Sequence, residues 1–141
     1  MSEERNGAIV RSWLEDVWGK GRFELQDELI APDVVDHNLM SGFPPGLEGQ
    51  KQMVATYRAA FDIDLRIDVL LATGDYVVCR NFNRMTQKAS FMGIPPVDKE
   101  LIVTGIDICR LEGGKIVEMW HEESIAGLLM QLGVISGFAT A

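Results

Sequence analysis

Leu101-Ile102-Val103-Thr104-Gly105-Ile106-Asp107-Ile108-Cys109-Arg110, the pair Gly113-Gly114, and Lys115-Ile116-Val117-Glu118-Met119-Trp120-His121-Glu122 together decide how this chain folds. Two apolar, β-branched runs flank two glycines. That is the composition of a tight hairpin, since glycine reaches the positive backbone dihedrals such a turn needs. Side chains alternate across a strand. Val103, Gly105, Asp107 and Cys109 therefore share one face of the first arm, and Ile102, Thr104, Ile106 and Ile108 share the other. Both faces are mostly apolar, so Asp107 is expected to be surrounded by core. On the second arm Val117, Met119, His121 and Glu123 share a face, opposite Glu118, Trp120 and Glu122.

Working outward, Ile63, Leu65, Ile67, Val69 and Leu71 alternate with Asp64, Arg66 and Asp68, which predicts a strand with those five apolar residues on one side. Gly74-Asp75 turns the chain into another strand over Tyr76 to Thr86, and a Gly93-Ile94-Pro95-Pro96 loop leads to the hairpin. Upstream the period is helical. Ile9, Val10, Trp13, Leu14, Val17 and Trp18 line one face of a helix from Ser2 to Trp18, with Ser2 as cap and Gly19 and Gly21 as stops. A shorter helix is predicted over Phe23 to Ile30, ended by Pro32. An extended stretch from Val34 to Asn38 follows, then a third helix from Gly49 to Phe61. A closing helix runs from Ser124 to Leu132. These elements predict one α+β domain over residues 1–141: a cone-shaped, curved antiparallel β-sheet with helices packed on its concave face. The mouth of such a cone is a natural small-molecule pocket.

The composition of the 141 residues is that of a globular domain, 47% apolar and 24% charged. A net charge of −8 repels phosphate and argues against nucleic-acid or anionic-membrane partners. Cys79 and Cys109 have no neighbours at metal spacing and are expected as buried thiols of a cytoplasmic protein. Met1-Ser2-Glu3-Glu4-Arg5 is too acidic for a leader, and no run approaches the ~20 apolar residues of a membrane span. The uncharged stretch from Ser124 to Ala141 reads as a helix plus an apolar extension that a second subunit would cover.

Polar residues inside apolar alternation are the candidates for chemistry. Asp107 and His121 stand at nearly equal distances from the Gly113-Gly114 turn, which places them on neighbouring strands. Whether they face the same side depends on register. A histidine moves protons near neutral pH, and an adjacent carboxylate fixes its tautomer, so His121 and Asp107 form a candidate catalytic dyad. A structural hydrogen bond is the plain alternative. Asp36, His37 and Asn38 sit beside the expected mouth and are candidate substrate-binding groups, or the side-chain chemistry of a turn. Arg80 is either an inward anion-binding group or a surface arginine paired with Asp68 or Glu100. Trp120, like Trp13 and Trp18, suits a pocket wall or ordinary core. No local ligand pair, phosphate loop, dinucleotide fingerprint or serine elbow occurs, so neither metal nor cofactor is expected.

Three ordered segments resemble the SnoaL-like polyketide cyclases of the nuclear-transport-factor-like superfamily. They are Phe91-Met92-Gly93-Ile94-Pro95-Pro96, then Thr104 to Arg110 with Gly114 to Trp120, and Gly127-Leu128-Leu129-Met130-Gln131-Leu132-Gly133; Pro32 to Asn38 and Ala60-Phe61 extend the likeness. The resemblance implies a cone with an apolar pocket, assembly as a homodimer or homotetramer, and ring closure by intramolecular aldol condensation without metal or cofactor. It also implies a catalytic carboxylate one residue past Trp120 and a histidine at the position of Asp107. Here the identities are exchanged, with His121 and Asp107 in those places, and Asp36 stands where an Asn is common. The functional expectation is cyclase-like or isomerase-type acid–base chemistry on a small, apolar or polyketide-like carbonyl compound, with His121 as base and Asp107 orienting it. Two alternatives stand beside it: a non-catalytic binding protein of the same fold, and epoxide opening by a water that Arg80 and Asp107 activate.

Overall fold

The computed structural model describes residues 2–138. Helix α1 spans Glu3–Ser12, with Ser2 Oγ accepting the N–H of Arg5 as predicted for its cap. It runs on into a wider π-helical segment, Trp13–Trp18, which turns Trp13, Leu14 and Val17 inward. The second predicted helix is shorter than the sequence suggests: a 3-10 turn Phe23–Leu25, then α2 over Gln26–Leu29. Strand β1 begins at once and spans Ile30–Asp36, straight through Pro32. It lies at the sheet edge, where a missing N–H is tolerated. Helix α3 covers Gly46–Ala60, and the long strands are β2 (Phe61–Thr73), β3 (Tyr76–Gln87), β4 (Glu100–Glu112) and β5 (Lys115–Glu123). Helix α4, Ile125–Gln131, closes the domain. Residues 139–141 of the expected apolar extension lie outside the described residues, as does residue 1.

The sheet order is β1-β5-β4-β3-β2. Four strands meander antiparallel, as expected. β1 instead pairs with β5 in parallel, so the sheet is mixed rather than wholly antiparallel, and it stays open. Side-chain alternation carries no information about strand direction, which is why the sequence could not distinguish the two pairings. The predicted hairpin is present, with Gly113 and Gly114 both at positive φ. Two bulges alter the predicted faces. Asp68 is unpaired between Ile67 and Val69, so the alternation of β2 inverts there. Leu65, Ile67, Leu70 and Ala72 pack toward the core, while Val69 and Leu71 are exposed on the outer face. A second bulge at Val117 lets both Ile116 and Met119 point inward.

Strand β5 ends before β4 does, which leaves part of the β4 edge without a strand partner. Side chains satisfy it. Ser124 Oγ accepts the N–H of Thr104 at 3.0 Å, and the Gln131 amide bonds both the N–H and the carbonyl of Ile102 at 2.7 and 2.8 Å. These bonds hold α4 against the sheet. The interior divides into two apolar clusters. One gathers α1, the π-helical segment and β1 with Val77, Cys79, Cys109, Leu111, Ile116 and Met119. The other gathers Phe61, Met85, Phe91, Leu101 and Val103 beneath Leu128 and Leu132.

Candidate active site

Between the two clusters lies a cavity of about 100 Å³. Trp13, Trp18, Tyr57 and Leu128 form much of its apolar wall, together with three methionines from separate stretches of the chain, Met40, Met53 and Met85. Its polar end is made by Asn81, Asn83, Asp107, His121 and Glu123. Strand alternation explains the convergence. Asn81 follows the inward-facing Val77 and Cys79 on β3, Asp107 precedes the inward-facing Cys109 on β4, and His121 and Glu123 follow Met119 on β5.

Asp107 and His121 are direct cross-strand partners, so the register question resolves with both side chains on the cavity side. They are not hydrogen-bonded to each other. His121 Nε2 meets the Asp36 carboxylate at 2.9 Å, and Nδ1 meets Glu123 Oε1 at 2.9 Å. Asp36 is itself locked, accepting from Gln50 Nε2 at 2.7 Å and from the Asn38 N–H at 2.8 Å. Asn38 Oδ1 in turn accepts the backbone N–H of His121 at 2.9 Å. Asp107 accepts instead from Asn81 Nδ2 at 2.5 Å. Gly105 makes that possible: a Cβ there would meet the Asn81 amide at 3.2 Å.

The electrostatics follow from these contacts. Burial alone would lower the pKa of His121. The hydrogen bonds and charges of Asp36 and Glu123 outweigh it and raise the imidazole to about 10, so it is a cation at neutral pH. Burial pushes Asp36 up, but His121, Gln50 and the Asn38 N–H bring it below the usual carboxylate value. Asp107 is 4% exposed. Burial, reinforced by Glu123, lifts it to about 7 despite the opposing pull of His121 and Asn81. Its proton is therefore exchangeable near neutrality. Tyr57, raised to about 12 by burial and by Glu123, stays protonated. Among the described residues its hydroxyl donates only to the weak acceptor Met40 Sδ, at 3.3 Å.

The remaining expected site residues lie elsewhere. His37 and Trp120 are on the outer sheet face, stacked with ring centroids 4.7 Å apart, and His37 Nε2 meets Glu118 at 2.6 Å. Arg80 is also on that face and pairs with Asp68. Alternation is the reason: with Cys79 and Asp107 directed inward, their neighbours Arg80 and Ile106 point outward. The water-activating pair of Arg80 and Asp107 is thus divided between two faces. Glu123, Tyr57, Asn81 and Gln50 were not among the expected site residues. Glu123 had a legible clue in sharing the His121 face. Asn81 had one as a polar residue on the Cys79 face. Tyr57 and Gln50 read as ordinary positions on a helix. Among the described residues, no three His, Cys, Asp or Glu side chains are placed to share a metal ion. No helix among them is long and apolar enough to cross a membrane.

An open, curved mixed sheet with helices enclosing a polar-ended apolar cavity defines an α+β cone of the nuclear-transport-factor-like kind. The family model of the SnoaL-like polyketide cyclases matches residues 8–132, and the chain belongs to that family. TsrD from Streptomyces laurentii shares the fold with a TM-score of 0.85 at 24% identity, over 96% of this chain and 99% of that one. A candidate polyketide cyclase from Bacillus cereus aligns with a TM-score of 0.80 at 29% identity, over 96% and 87%. IdmH from Streptomyces antibioticus aligns with a TM-score of 0.78 at 31% identity, over 92% and 99%. No curated protein matches the chain.

Proposed function

We propose that the cavity carries out cofactor-independent acid–base chemistry on a small carbonyl compound. A proton is removed next to the carbonyl, and an aldol-type ring closure follows where the ligand brings a second carbonyl within reach. The convergence of Asp107, His121 and Glu123 at one end of an apolar cavity is the observation that supports this reading. The roles differ from those the sequence suggested. His121 has both ring nitrogens committed to carboxylates, so it serves as a fixed positive charge beside the developing enolate. Asp107, poised near neutrality, takes the proton and returns it. The Tyr57 hydroxyl donates to the enolate oxygen by giving up its thioether partner.

General acid–base catalysis contributes roughly 10²–10⁴-fold. Solvent-deuterium uptake into aryl methyl ketones, and ring closure of linear β-polyketone mimics, are expected to fall by that factor in Asp107→Asn. Equal rates in variant and native protein would discard the mechanism. The commitment of both His121 nitrogens also supports a second reading, a binding chamber without turnover. There, ligand affinity survives Asp107→Asn and neither protein takes up deuterium.

The outer sheet face offers Val69, Leu71, Tyr76 and Ile106 to solvent. We propose it as the contact through which copies of the chain assemble into a homodimer or homotetramer. The buried free thiols Cys79 and Cys109 support a cytoplasmic location.

A further inference from the structure

We propose that the cavity selects its ligand by charge: it takes a molecule with an apolar, ring-bearing body and a protonated nitrogen, and turns carboxylates away. The inference rests on the cavity being the functional site and deepens that reading by naming the ligand class.

The charged residues lining the cavity are Asp107, His121 and Glu123, and among the described residues no lysine or arginine lines it. Asp36 stands directly behind His121, within 2.9 Å of its ring. One cation is thus set among three carboxyl groups. A single carboxylate neutralises the imidazolium, and the others leave an excess of negative charge. The nearby arginines do not offset it. Arg58, on the helix that carries Tyr57, donates to the carbonyls of Trp18 and Gly19 at 2.7 and 3.1 Å. Arg80 pairs with Asp68 on the far face of the sheet.

A second, independent observation points to a ligand. Asp107 is buried, and Asn81 satisfies only its Oδ2. Among the described residues no protein donor reaches Oδ1, although the side chain lines the cavity. An N–H of a ligand entering the cavity would supply that oxygen with a donor. Trp13, Trp18 and Tyr57 also line the cavity, with the Trp18 and Tyr57 rings set edge to face at 5.8 Å. Aromatic walls suit a ring-bearing body and add to the attraction for a cation. A carboxylate placed here would meet Asp107 and Glu123 as like charges, and the one cation, His121, is already held by two carboxylates.

Matched probes test this directly: 3-phenylpropylamine, 3-phenylpropan-1-ol and 3-phenylpropanoate, titrated calorimetrically into the full chain at pH 8 and low salt. Fluorescence of Trp13 and Trp18 in a Trp120→Phe background reports entry into the cavity. The amine is expected to bind about tenfold more tightly than the alcohol, and the carboxylate most weakly, each tenfold step being about 1.4 kcal/mol. Asp107→Asn and Glu123→Gln each reduce the amine-over-alcohol ratio by about threefold or more, and urea unfolding of each variant separates lost charge from lost folding. Alcohol or carboxylate binding as tight as amine binding would overturn the inference. A preference that survives both substitutions, or no binding by any probe, would do the same. Proton transfer is judged separately by deuterium uptake. A cavity that takes up deuterium but ignores charge fails only this inference, and one that sorts by charge but moves no proton fails only the mechanism.

Discussion

Replacing Asp36 by asparagine keeps the shape behind His121 and removes one of the two charges that hold it. The side chains of His121 and Asp36 are 11% and 2% exposed, so bulk water screens the pair little. Raising an imidazole from its ordinary value of 6.5 to about 10 corresponds to about 5 kcal/mol, at ~1.4 kcal/mol per tenfold change. Two carboxylates share that stabilisation, so losing one should cost about 2–3 kcal/mol, in keeping with a buried charged hydrogen bond. The folded value lies above the unfolded one. The contribution is therefore complete below pH 6.5 and disappears as the pH rises through about 10. In Asp36→Asn the His121 midpoint should fall by roughly two pH units, and the loss of stability at pH 6 should vanish above pH 10. The chain has two histidines, so a His37→Gln background leaves one imidazole to follow by NMR, with urea unfolding at pH 6 and pH 10 alongside. A native His121 that deprotonates near 6.5, or a midpoint the substitution does not move, would refute the reasoning.

Asp107→Asn should flatten the pH dependence of stability. Asp107 is raised from 3.8 to about 7, so its contribution is full below pH 3.8 and is lost as the pH climbs through 7; urea midpoints at pH 4 and 8 should differ less in the variant. Asn81→Ala removes the donor to a buried carboxyl and should cost about 1–3 kcal/mol. It should also raise the lower midpoint of the deuterium-uptake profile above that of the native protein. Gly105→Ala should give a milder form of the same change, because the Asn81 amide must give way to the added methyl. Under the proposed outer-face contact, Leu71→Lys combined with Ile106→Lys should sediment as a monomer where the native chain sediments as a dimer or tetramer, and identical sedimentation of the two would remove the outer face as the contact.

Much of the fold was legible because burial writes itself into periodicity. The 101–122 hairpin, the helical face from Ile9 to Trp18 and the presence of four long antiparallel strands all followed from apolar spacing and glycine turns. The parallel β1–β5 pairing did not, since direction leaves no mark on alternation. The Asp68 bulge was invisible for a related reason: Val69-Leu70-Leu71 is a continuous apolar run, and a one-residue slip exchanges which of its members face the core. At the site, Asp107 and His121 could be placed side by side, but their partners could not. Asp36 reaches His121 across the parallel pairing, and Asn81 reaches Asp107 from a third strand. Such contacts depend on tertiary geometry rather than on sequence spacing.

The wall between the two apolar clusters draws Met40 from the loop after β1, Met53 from α3 and Met85 from β3. Unbranched thioethers change rotamer cheaply and tolerate exchange for other apolar residues. Substitutions there would reshape the room available to a guest without disturbing the anchored imidazolium; Met85 also belongs to the second cluster, so it suits only volume-conserving exchanges. Descendants of this scaffold could therefore acquire new ligand outlines through these three positions while inheriting the charged end unaltered.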